Sequence, residues 1–74
     1  MYDIIIYYTK DHKNNLGENH WKEIVKISNN YNTAGLANKG DFCVTLNNES
    51  EVESFINEIS KLEYVSKVDV DFIS

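Results

Sequence analysis

The sequence predicts a single α+β domain with the element order β-α-β-β-α-β, and three observations carry that reading. Residues 2–8 (Tyr-Asp-Ile-Ile-Ile-Tyr-Tyr) are β-branched and aromatic almost throughout, which favours a central strand. Val52, Phe55, Ile56, Ile59 and Leu62 recur at helical spacing and form a continuous apolar stripe. Val68, Val70 and Phe72 alternate with Lys67, Asp69 and Asp71, the pattern of a strand with one face turned to a core.

The remaining elements follow in chain order. Residues 9–17 are polar, contain Asn14, Asn15 and Gly17, and read as a loop. From Glu18 to about Tyr31 the period becomes helical, with Trp21, Ile24, Val25, Ile27, Ser28 and Tyr31 on one side. Lys22, Glu23, Lys26 and Asn30 lie opposite. Residues 32–38 form a weaker strand pattern, degraded by alanine and glycine. Asn38-Lys39-Gly40-Asp41 is expected to turn the chain into a strand over Phe42–Leu46. There Phe42, Val44 and Leu46 face one way, Cys43 and Thr45 the other. Asn48 with Glu51, or Ser50 with Glu53, has the spacing of a reciprocal cap for the second helix.

This order resembles the ferredoxin-like layout, a four-stranded antiparallel sheet with two helices on one face. The resemblance covers residues 1–74 as one domain, with each βαβ crossover expected to be right-handed. It implies a fold and no particular function, because the layout hosts many unrelated ones.

Composition narrows the function classes. A chain of 74 residues buries only roughly 60% of the surface its unfolded form exposes, so its core has to be compact. The longest apolar run, Ile4 to Tyr8, is strand-sized and far short of the ~20 residues that span a bilayer. The N-terminus lacks the basic region and small-residue cleavage site of a signal peptide. A single cysteine rules out an internal disulfide and fits a reducing compartment, so a cytoplasmic location is expected. The net charge is −5, and all seven basic residues are lysines. Without arginine, the preferred bidentate ligand of phosphates and base edges, direct nucleic-acid binding is not expected. The acidity is concentrated late in the chain: residues 41–74 carry eight acids against Lys61 and Lys67.

The residues able to do chemistry do not form a catalytic constellation. Alternation sets Cys43 beside Thr45 on the sheet face away from the helices, and no histidine is fixed nearby to activate a thiol. His12 and His20 bracket the first loop near Asp11, Glu18 and Glu23, but no CxxC, HxH or HExxH spacing exists. His20 and Glu23 alone do not complete a metal site. Gly17, Gly35 and Gly40 are isolated and make no phosphate cradle. No cofactor, no metal and no enzymatic activity are expected.

The sequence therefore points toward binding. If Ile4, Ile6 and Tyr8 pack inward, then Asp3, Ile5 and Tyr7 face out beside Asp69 and Asp71, giving an open sheet face with an apolar centre and an acidic rim. With Glu51 and Glu58 of the second helix, these are the candidate partner-binding residues. RNA-binding domains of this layout stack bases on the same face, but they rim it with basic residues. The expected role is that of a small acidic regulator or inhibitor that covers a basic, nucleic-acid-binding surface of another protein. Phage and mobile-element inhibitors, including anti-CRISPR proteins, are similar in size and charge. The alternative is a small-molecule-sensing module resembling the ACT-type regulatory domains, acting as a homodimer with its ligand near the loop Thr9–Gly17.

Overall fold

In the computed structural model, which describes residues 1–73, a four-stranded antiparallel sheet carries helices on one face. The elements are β1 (Tyr2–Tyr8), α1 (Lys10–Asn14), α2 (Lys22–Ser28), β2 (Thr33–Ala37), β3 (Phe42–Leu46), α3 (Val52–Ser60) and β4 (Val65–Phe72). A 3-10 turn over Glu49–Glu51 leads into α3. The strand order is β2-β3-β1-β4, so the apolar β1 and β3 are central while β2 and β4 are edges. Among the described residues, no helix is long and apolar enough to cross a membrane.

Alternation sets the two faces of the sheet. Ile4 lies between Val44 and Val70, and Ile6 between Phe42 and Val68. Ile4, Ile6, Val44 and Leu46 are fully buried and meet Ile24 of α2 with Phe55 and Ile59 of α3. Burial of each such side chain contributes roughly 1.5–3 kcal/mol, which makes this cluster the main source of stability. The β2–β3 hairpin is tied down as well. Gly40 has φ +59°, and a Cβ there would stand 2.5 Å from the Ile5 Cγ2 and 3.2 Å from the Ile6 carbonyl oxygen. The turn therefore lies directly on β1, and only glycine fits it.

Four sequence expectations need correction. The stretch 9–17 is not wholly loop: the Thr9 hydroxyl accepts the His12 N–H and starts the short α1. The helix expected over residues 18–31 is reduced to Lys22–Ser28, because Asn19 takes φ +68° and residues 17–20 turn instead. Trp21 precedes that helix and is 39% exposed rather than packed on its apolar side. At α3 neither reciprocal cap forms; the Glu51 carboxylate accepts the Asn32 N–H at 3.0 Å instead. Finally, Val70 and Phe72 turn toward the helix side as expected, yet they are 46% and 63% exposed. The reason is length. Nine helical residues reach about 14 Å, whereas eight strand residues reach about 26 Å, so α3 leaves the end of β4 uncovered.

Candidate functional site

The residues expected to form an acidic rim are largely engaged within the molecule. Asp3 sits at the centre of the sheet, 1% exposed, where Thr45 donates its hydroxyl to Oδ1 at 2.5 Å. Lys39 reaches over from the hairpin and pairs with Asp3 and Asp71, each at 2.9 Å. Burial alone would raise the Asp3 carboxyl, but the Thr45 hydroxyl and then the Lys39 ammonium overcome it and hold it below the usual carboxylate range. Asp69 pairs with Lys67 at 3.3 Å, and the Lys67 ammonium lies 5.3 Å from the Tyr7 ring centre. Ile5 lies under Gly40, and both Ile5 and Tyr7 are half-buried. The outer sheet face thus carries a polar lattice in which three aspartates share two lysines.

Cys43 belongs to that lattice. It is 1% exposed, and burial followed by the nearby Asp3 charge pushes its thiol up to about 11. Both effects favour the neutral thiol, as for a cysteine packed inside a sheet.

The glutamates around α3 divide into two groups. Glu51 and Glu58 face the chain leaving α2: Glu51 binds the Asn32 N–H, and Glu58 accepts the Tyr31 hydroxyl, which also lies 2.9 Å from the Ser54 hydroxyl. Glu49 and Glu53 stand on the opposite flank. With Val52, Ile56 and Asn57 they line a shallow groove of about 330 Å³. The Tyr2 hydroxyl donates to Glu49 at 3.3 Å, and the Tyr2 ring stacks at a tilt on Phe72, 5.2 Å between centres. Tyr2 thus links Glu49 at the groove with Phe72 at the uncovered end of β4. Among the described residues, none of Glu49, Glu51, Glu53, Glu58 and Glu63 lies within ion-pair distance of a lysine.

A second cluster occupies the far end of β1. The His12 ring stacks on Tyr64, 4.3 Å between centres and 15° from parallel, and meets Tyr8 edge-on at 4.6 Å. His20 completes the group at 5.9 Å from His12, its Nδ1 placed 3.2 Å from the Gly17 carbonyl. Tyr64 donates its hydroxyl to Glu23. The Tyr8 hydroxyl and the His12 Nε2 are buried and have no protein partner. Burial, then Asp41, pushes the Tyr8 hydroxyl up to about 12. Among the described residues no group of three or more histidine, cysteine, aspartate or glutamate side chains is arranged to hold a metal ion.

The partner-binding residues named from sequence are thus not gathered at one place. Asp3, Ile5, Tyr7, Asp69 and Asp71 share the outer sheet face, while Glu51 and Glu58 point toward residues 31–32 across the helix layer. Glu49, Glu53, Val52, Ile56 and the exposed pair Val70 and Phe72 escaped sequence reasoning. The mismatch between the lengths of α3 and β4 was the available signal. Comparisons with protein-family models, with curated proteins and with solved structures find no match.

Proposed function

We propose that this domain is a non-enzymatic protein-binding regulator or inhibitor that covers a basic, nucleic-acid-binding surface of another protein. The division of its charge carries the reading. The outer-face aspartates already have lysine partners, whereas Glu49 and Glu53 have none among the described residues and line the groove that Tyr2 links to the exposed Phe72 beside Val70. An apolar centre with an acidic margin suits a partner that presents basic side chains around an apolar anchor. This moves the preferred contact from the outer sheet face to the corner between α3 and β4. In size and charge the chain stays close to the anti-defence inhibitors of phages and mobile elements. The fold supporting it is, in our proposal, a variant of the ferredoxin-like layout: two crossovers, through α2 and α3, enclose the central pair β1 and β3, and α1 is an added turn. The test is capture of the partner at low salt with wild-type protein and with a Glu49→Lys/Glu53→Lys variant.

A second reading has one specific observation in its favour. The Tyr8 hydroxyl and His12 Nε2, on rings that meet edge-on, are both buried and without a protein partner, beside the loop where the ACT-type modules that the chain resembles in layout hold their ligands. A small polar metabolite could satisfy both. Thermal-shift screening with amino acids and nucleotides tests it: a stabilisation lost in Tyr8→Phe supports a sensor, and no shift with any compound removes that reading.

A further inference from the structure

We infer that the outer edge of β4 is a strand-addition site for an extended segment of another protein, one that alternates basic and apolar residues. This rests on the protein-binding reading above and adds the mode of contact. The phase of the hydrogen bonds comes first. Met1 and Ile73 exchange reciprocal backbone bonds, Ile73 N–H to Met1 oxygen at 2.8 Å and the Met1 amine to the Ile73 oxygen at 3.0 Å. In an antiparallel pair such bonded positions alternate with unbonded ones. With the register Asp3–Asp71, Ile5–Asp69 and Tyr7–Lys67, the odd residues of β4 therefore spend their backbone groups on β1. Val68, Val70 and Phe72 turn theirs outward. Among the described residues no strand pairs with that side.

The side chains state which strand fits. On the outer face the edge presents Asp69 and Asp71, joined to Lys67 and Lys39 by exposed pairs that an incoming charge can replace at little cost. On the helix side it presents Val70 and Phe72. A strand laid along this edge places every second residue against the aspartates and the intervening ones against Val70 and Phe72, which calls for alternating basic and apolar side chains. A second copy of this chain fits poorly. A two-fold axis at Val70 shares the longest ladder but sets Asp69 against Asp71 of the other copy twice. An axis at Asp69 opposes that residue to itself, and one at Val68 sets Lys67 against Asp69 but loses its ladder at the irregularity opposite Tyr7 and Tyr8. Like charges directly opposite destabilise the first two registers and the irregularity shortens the third, so the edge disfavours self-assembly while remaining open to a basic strand.

The probe is a capped heptapeptide alternating lysine and valine, with a glutamate–valine peptide as control, followed by amide NMR. Saturable shifts and slowed exchange at the Val68, Val70 and Phe72 N–H groups, with the lysine peptide only, are the expected result. Val70→Pro removes an outward donor and should leave the β1–β4 ladder intact, whereas Asp69→Pro removes an inward one and should destabilise the fold. Peptide affinity should fall about tenfold in Val70→Pro, the equivalent of one lost backbone hydrogen bond. Slow exchange of the three amides in the unliganded protein, equal binding of the two peptides, or undiminished binding to folded Val70→Pro would each overturn the assignment. None of these outcomes touches the Glu49→Lys/Glu53→Lys test of the wider reading, which probes the helix and not the strand edge.

Discussion

At the scale of single residues, Asp3 shows how a charge can be buried in a domain this small. An unpaired carboxylate at 1% exposure would be strongly disfavoured, but Thr45 and Lys39 supply a charge-assisted hydrogen bond and an ion pair. Because Asp3 is held below its ordinary value, the stability it contributes is present above about pH 3.8 and is lost as pH falls through the folded value. Thermal midpoints measured across the acid range should drop more steeply for wild type than for Asp3→Asn below that point. Thr45→Val should cost about 2 kcal/mol at neutral pH, the usual loss for a hydrogen bond to a charged group. An unchanged midpoint in Thr45→Val would show that the contact does not hold the carboxylate. Sequence alternation placed Asp3 on the outer face but could not bury it. The cover comes from Lys39, which is distant in the chain and arrives only because Gly40 lets the hairpin lie on β1.

At the scale of elements, α3 and β4 show what patterning reveals and what it omits. The apolar stripe located the helix, and strict alternation located the strand, because both signals are periodic and local. Coverage depends on how far one element extends over another, and no single window of sequence contains that. The contrast is testable in two phenylalanines. Phe55→Ala opens the core and should cost about 3–5 kcal/mol, close to the whole stability of such a domain. Phe72→Ser, at a side chain 63% exposed, should leave the denaturant midpoint nearly unchanged. A large loss in Phe72→Ser would mean that the end of β4 is covered after all. Helix α2 was legible in type but not in length: its apolar spacing ran back through Trp21, and the turn at Asn19 cut it short. The two corner glutamates, Glu49 and Glu53, were visible as charges, but only the contacts of Glu51 and Glu58 with residues 31 and 32 separate the occupied flank from the open one.

At the scale of the whole molecule, the decisive property is how a net charge of −5 is distributed. Two lysines pair with the three aspartates of the outer sheet face, and the glutamates without a lysine partner among the described residues gather around α3, next to the apolar surface that the helix fails to cover. Such an arrangement should draw in a basic partner quickly and release it when salt screens the attraction. The most direct measurement is affinity capture from extract of the source cell, comparing wild type with Glu49→Lys/Glu53→Lys and eluting with a salt gradient. The account expects a nucleic-acid-binding protein held by wild type, released by about 0.5 M salt and absent from the variant. It expects the captured protein to bind its nucleic acid less well while the domain is attached. Equal retention by both proteins, elution indifferent to salt, or a captured protein whose nucleic-acid binding is unaffected would contradict it.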